Sequence, residues 1–423
     1  MLRLRHSMSS SPQERVTESP PENEPLLKGD MALQASALER RLTGHYIQPL
    51  WMVIRTTLAS SYANLLLPTV FLGIASASWG WGDTSTFVLN LLAIFPLASL
   101  LSFSTEELAK SVGSAVGGLI NATFGNAVEM IVGATAVNRG EIHIVQASMI
   151  GSVLSGNLLI LGSCFFAGGY NRRTLRFSPD VSQILSSLMV VITSFLLIPS
   201  ALYVTTRAPA TDTEESVLNL SRAAAIILLL YYLIYLYFKL KSHADVFVCD
   251  GEEEEEEIQL GPWSASLVLV LATLGVTTCS DSLVESIDGM VETWSISRAF
   301  IGLIVVPIVG NAGEFNTTVN AAIKGHLGLA IGIIAESTLQ IALFVTPFTV
   351  IWGWAIDQPM SLHFNTFEIT VFSLTAILTK CLMREGHSNW FQGYLLIGMY
   401  LILAIAFYVH PDLDHITQEV PSG

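Results

Sequence analysis

Eleven stretches of about twenty mostly apolar residues follow one another along this 423-residue chain, and a helix of that length crosses a hydrocarbon core of about 30 Å. In lipid a backbone must satisfy its own hydrogen bonds, so such runs read as packed helices and not as an open sheet. They are expected near 56–78, 86–108, 113–137, 143–167, 181–203, 220–238, 263–287, 298–322, 327–354, 362–382 and 391–409. The expected fold is therefore an all-α polytopic membrane protein. With 51% hydrophobic and 13% charged residues, a single water-soluble core is excluded.

Residues 1–50 carry Pro12, Pro20, Pro21 and Pro25 among polar side chains and read as a disordered tail without a cleavable signal peptide. The expected organisation is that tail, a peripheral helix over 51–78, five helices over 86–238, an acidic linker over 239–262, five more over 263–409 and a short tail over 410–423. If the N-terminus is cytoplasmic, fifteen of the twenty Lys and Arg residues fall on the cytoplasmic side and four on the other, with Arg55 near the mouth of the first span. This bias orients the chain with its N-terminus inside and its C-terminus outside. A net charge of −15 argues against nucleic acid as a partner. The four cysteines sit singly and suggest neither a disulfide framework nor a zinc site.

Gly125-Asn126-Ala127-Val128-Glu129 in the third span recurs as Gly310-Asn311-Ala312-Gly313-Glu314 in the eighth, 185 residues later. The same offset carries Gly151 onto Glu336, Ser152 onto Ser337 and Ser155 onto Gln340, so the repeat extends into the next helix. Five crossings separate the copies, which makes them oppositely directed. Such an inverted repeat places equivalent groups near the bilayer midplane.

A carboxylate within an apolar helix costs several kcal/mol unless it is protonated, paired or facing a wet cavity, and here two are related by the repeat. Glu129 and Glu314 are the expected cation and proton site, with Asn126 and Asn311 offering amide oxygens beside them. Gly125 and Gly310 permit close approach or local unwinding, which frees carbonyls for the site. Hard oxygen ligands and two charges suit Ca²⁺ better than a soft metal. Ser152, Ser155, Ser337 and Gln340 are supporting oxygen donors. The alternative for the two glutamates is permanent protonation as helix glue, and for the serines simple close packing.

A second acidic layer, Glu106, Glu107, Asp281 and Glu285, is expected to line vestibules; helix-end charge, with an i,i+3 pair between Glu107 and Lys110, is the alternative. Asp250 and the run Glu252, Glu253, Glu254, Glu255, Glu256 and Glu257 divide the halves. Such a run is a solvated linker or a divalent-ion concentrator.

Asn-Ala-Thr-Phe-Gly-Asn-Ala-Val-Glu at 121–129, Gln-Ala-Ser-Met-Ile-Gly-Ser at 146–152, Asp-Ser-Leu-Val-Glu-Ser-Ile-Asp-Gly at 281–289, Pro-Ile-Val-Gly-Asn-Ala at 307–312 and Gln-Ile-Ala-Leu-Phe-Val-Thr-Pro at 340–347 resemble the Ca²⁺/H⁺ exchanger (CAX) family, most of all its fungal vacuolar members. The resemblance covers about residues 50–410. It implies one peripheral helix plus two inverted five-helix repeats. It also implies Ca²⁺ and H⁺ alternating on Glu129 and Glu314 as transported substrates without a cofactor, a cytosolic acidic helix over Glu252 to Glu257, and a vacuolar membrane. Three departures stand out: Phe315 where the family has His, Glu336-Ser337-Thr338 where it has Gly-Ser-Ser, and Gly156-Asn157 where Asn comes one residue earlier. Glu336 thereby adds a carboxylate close to the site. Mn²⁺ or another cation as cargo, and a non-transporting sensor or channel, are the alternatives. No His-Glu-x-x-His or paired-Asp pattern supports an intramembrane enzyme.

Overall fold

The computed structural model describes residues 48–112, 114–177, 179–205, 210–243 and 258–409. The expected N-terminal tail up to residue 47, the C-terminal tail and the run Glu252 to Glu257 lie outside the described residues.

Helices account for nearly the whole fold. Helix α1 (Leu50–Ala59) stops before Ser61, whose side chain accepts the Ala63 N–H and starts a 3₁₀ turn leading into α2 (Pro68–Trp79). Then come α3 (Asp83–Val112), α4 (Ser114–Phe124), α5 (Ala127–Asn138), α6 (Ile142–Gly169), α7 (Pro179–Thr205) and α8 (Thr213–Ser242). The second half holds α9 (Pro262–Glu285), α10 (Ile287–Trp294), α11 (Arg298–Gly310), α12 (Ala312–Lys324), α13 (Leu327–Ala355), α14 (Thr366–Met383) and α15 (Trp390–Val409). A two-residue antiparallel ladder joins β1 (Leu175–Arg176) to β2 (His387–Ser388).

Among the described residues, nine helices are long and apolar enough to cross a membrane, ten if α10 and α11, bent by 119°, are taken as one span. The difference from eleven has a physical cause. The third and eighth expected spans are each broken, between α4 and α5 and between α11 and α12, and a half-helix falls short of the hydrocarbon thickness. The tenth expected span is also shorter than its apolar run. Leu362 and Phe364 are buried before α14 begins, with their N–H groups held by Ser221 Oγ and Ser200 Oγ, both at 2.9 Å. Apolarity reports burial there, not helix.

The repeat is visible as geometry. The 185-residue offset takes the start of α5 onto the start of α12 and the start of α6 onto the start of α13. It also takes the π turn in α6 (Ser155–Ile160) to within one residue of the π turn in α13 (Ile341–Val345). Equivalent helices α3 and α9 run antiparallel: Glu107 near the end of α3 binds residues just before α9, while Asp83 at its start touches Gly289 just after α9. The two halves therefore run in opposite directions. Apolar side chains such as Phe71, Leu233, Ile402 and Ile405 point outward, the surface a lipid-embedded bundle requires.

Candidate functional site

The chain leaves the helical path at both copies of the motif. Asn126 and Asn311 sit between half-helices as the N-caps of α5 and α12, which places Glu129 and Glu314 in the first turns of those helices. The positive end of a helix favours a carboxylate there. The breaks thus supply what a continuous helix lacks in lipid: a helix start that stabilises negative charge.

The structure brings the two motifs together. Each motif lies against the other half: Asn126 accepts from Ser337 of α13, and Asn311 donates to the Ser152 carbonyl of α6. The Glu129 carboxylate leans on the bare backbone of Gly310, where a Cβ would stand 2.9 Å from its oxygen. Any side chain at 310 would displace it. Glu129 also lines a cavity of 20 Å³ with Ser148, Ser152, Leu91 and Val306, room for about one ion or water.

Both asparagines are almost fully buried and their amides are oriented differently. Asn311 donates from Nδ2 to the Ser152 carbonyl at 3.0 Å, and its Oδ1 is buried without a hydrogen-bond partner. A buried acceptor left unpaired costs free energy unless something positive meets it. Asn126 donates from Nδ2 to Gln340 Oε1 at 2.5 Å and accepts from Ser337 Oγ at 3.0 Å. Ser152, Ser337 and Gln340 therefore join the two motifs. Ser155 does not; its hydroxyl oxygen is buried without a hydrogen-bond partner.

The site is unequal on its two sides. Glu129 is buried and Glu314 half-buried, and from Glu314 the exposed polar residues Asn316, Thr317 and Asn320 descend α12 toward Lys324. Within lipid depth such residues line water. On the opposite side, α5 is enclosed through Val132, Ala136 and Val137.

Glu107, Asp281 and Glu285 are engaged away from the two motifs. Glu107 is 1% exposed; it accepts the N–H groups of Gln259 and Leu260 at 2.6 and 2.9 Å and pairs with Lys110 at 3.3 Å. This is the i,i+3 pair, with the added work of anchoring the segment that follows the acidic linker, and it replaces a vestibule role. Glu107→Gln removes the charge while keeping the shape, and limited proteolysis should then cut more readily around residues 258–262. Glu106 is half-buried on the same helix.

At the other end of α9, Asp281 and Glu285 grip Arg139 at 2.8 and 3.0 Å. The Asp281 hydrogen bond, more than charge, holds the Arg139 guanidinium even more firmly protonated than usual. Arg298 similarly reaches Glu141 at 3.0 Å and Asp288 at 2.6 Å. Glu336 pairs with Lys239 at the end of α8 and accepts from Gln340 Nε2 at 3.1 Å. Arg139 and Lys239 find their partners 142 and 97 residues away, which leaves no local signal.

An all-α bundle of membrane-length helices, with two more broken at the two copies of one Asn-Ala-x-Glu motif, has the architecture of a membrane transporter. The chain belongs to the sodium/calcium exchanger protein family, which matches residues 83–241 and 264–409, and within it to the Ca²⁺/H⁺ exchanger branch. It is 41% identical over 362 residues to a vacuolar calcium ion transporter of Schizosaccharomyces pombe, covering 85% of this chain and 87% of that one. It is 40% identical over 358 residues to a Ca²⁺/H⁺ antiporter of Synechocystis sp., covering 80% and 95%. The solved structure of native YfkE superposes with a TM-score of 0.71 at 33% identity, covering 83% of this chain and all of the other.

Proposed function

We propose that this protein is a secondary active antiporter that moves Ca²⁺ out of the cytoplasm into an acidic organelle in exchange for protons, by alternating access around Glu129 and Glu314. The observation that supports the reading is the placement of two repeat-related carboxylates in the first turns of two half-helices, with Glu129 reaching Gly310 of the other motif, beside an unpaired buried Asn311 oxygen. The names of the relatives, vacuolar calcium transporters and Ca²⁺/H⁺ antiporters, agree with it.

On this reading the broken helices are the third and eighth of eleven crossings. The polar face from Glu314 to Lys324 opens to the cytoplasm, the side that the Lys and Arg bias assigns to Lys324. Deprotonated glutamates there take Ca²⁺, with Asn126 and Asn311 supplying amide oxygens. Neutralising the pair removes the charge that opposes burial, so the loaded site can close and the half-bundles rock. Toward an acidic lumen, protons displace the ion, and the neutral, protonated pair permits return. The ion pairs Arg139–Asp281/Glu285 and Arg298–Glu141/Asp288 lie on that lumenal side and hold it shut in this conformation.

The energetics suffice: each pH unit is worth about 1.4 kcal/mol per proton, so a two-unit gradient with two or three protons supplies roughly 5 to 8 kcal/mol. Tenfold Ca²⁺ accumulation costs about 1.4 kcal/mol before the membrane potential is counted. The vacuolar membrane is the location that the fungal and plant relatives suggest. The test is ⁴⁵Ca²⁺ uptake by purified protein in vesicles with an acidic interior. Uptake that follows the imposed pH gradient and collapses with a protonophore is the expected result; uptake indifferent to the gradient would refute it. Phe315 borders the same polar face. Phe315→His adds a group titrating near pH 6.5, and the uptake–pH profile should gain a step there that wild type lacks.

A further inference from the structure

Repeat-related Asn126 and Asn311 differ in what orients them. Asn311 faces a backbone carbonyl, that of Ser152, which can only accept; its Nδ2 is bound there and its oxygen is turned inward. Asn126 has no such partner. Its Nδ2 meets Gln340, and a carboxamide presents either an acceptor or a donor depending on which way it is turned. Gln340 orients Asn126 only if something orients Gln340.

Glu336 does so. Its Oε1 accepts the Gln340 Nε2 hydrogen and, on the same oxygen, the Lys239 ammonium. An ionised carboxylate is acceptor-only, like the carbonyl that serves Asn311. The chain Glu336, Gln340, Asn126, Ser337 therefore has a fixed direction, with every donor pointing toward Glu336 from the Asn126 end. Reversing it would set the Gln340 oxygen against the carboxylate. Position 336 is the counterpart of Gly151, which in the first half is pressed against the backbone of α11 and has no room for a side chain. In the second half Lys239, from the end of α8, stands at this position, and the space holds a carboxylate.

We propose that Glu336 is a positioning residue for the cation site: held by Lys239, it sets the Gln340 amide and through it keeps the Asn126 oxygen turned toward Ser337. This rests on the exchanger reading above and adds to it a control on cation affinity. It also ties the site to α8, the last described helix before the linker between the halves, so a shift of Lys239 would be felt at Asn126.

Equilibrium ⁴⁵Ca²⁺ binding to the purified full-length protein tests this without requiring transport. Glu336→Gln leaves an amide that can turn with Gln340, and the Kd should rise about fivefold, the size of one net hydrogen bond. The charge swap Glu336→Lys with Lys239→Glu separates positioning from simple ion pairing. It restores the pair but confronts Gln340 with a donor, so the Kd should stay raised while the melting temperature remains near wild type. A wild-type Kd in Glu336→Gln, or in the swap, overturns the proposal. Should the swap fail to yield monodisperse protein, Glu336→Gln alone decides. Wild-type protein that binds no ⁴⁵Ca²⁺ refutes the exchanger reading itself, a different outcome.

Discussion

Glu129→Gln and Glu314→Gln should each reduce proton-driven ⁴⁵Ca²⁺ uptake by at least about a hundredfold, to the level of empty vesicles, while leaving the protein folded. Glutamine keeps the shape and one acceptor oxygen but can neither carry the charge that holds a divalent ion nor release a proton, so both half-reactions fail together. Each side chain matters on the proposed mechanism because the acids serve one site: Glu129 reaches across to Gly310, the motif glycine of the other half, four residues before Glu314. One remaining carboxylate would leave a divalent ion with uncompensated charge on closure. Uptake in either variant within a few-fold of wild type would remove the paired-acid mechanism.

Gly151→Val should have the largest effect on the fold. α6 crosses α11 at backbone contact: a Cβ on Gly151 would overlap the Leu303 carbonyl and lie 2.6 Å from Pro307 Cγ, and one on Gly302 would stand 2.7 Å from the Ala147 methyl. Small residues at such crossings let membrane helices approach through their backbones. Valine forces the helices apart, at a cost of about 3 kcal/mol or more, since neither a carbonyl nor a proline ring can move aside. Separation also breaks the bond from Asn311 to the carbonyl of the neighbouring Ser152. Thermal melting in detergent and uptake in vesicles should both show the loss. A variant that melts like wild type would show the crossing to be looser than this geometry.

The positions of these residues in the chain explain which of them could be read early. Gly-Asn-Ala-x-Glu is local and duplicated, so its glutamates and asparagines stand out against apolar surroundings, and its glycines signal the unwinding that breaks both helices. Glu107 and Glu336 stand out as charges in the same way, and each has one local partner, Lys110 and Gln340, but the others are distant in the chain. Glu107 holds the far end of the linker, 152 residues on, and Glu336 holds a lysine 97 residues earlier. Reading both as charges near a water path registers the cost of burying them without the groups that offset it.

Apolar runs, their 185-residue repetition and the two acids within them belong to the sequence alone, because hydrophobic length and the expense of charge in lipid act on each helix separately. Tertiary structure decided which way each amide faces, which acids meet the site and which are tied down elsewhere. Those outcomes depend on helices far apart in the chain coming within hydrogen-bond distance, and direction in a hydrogen bond is a property of the pair, never of one residue.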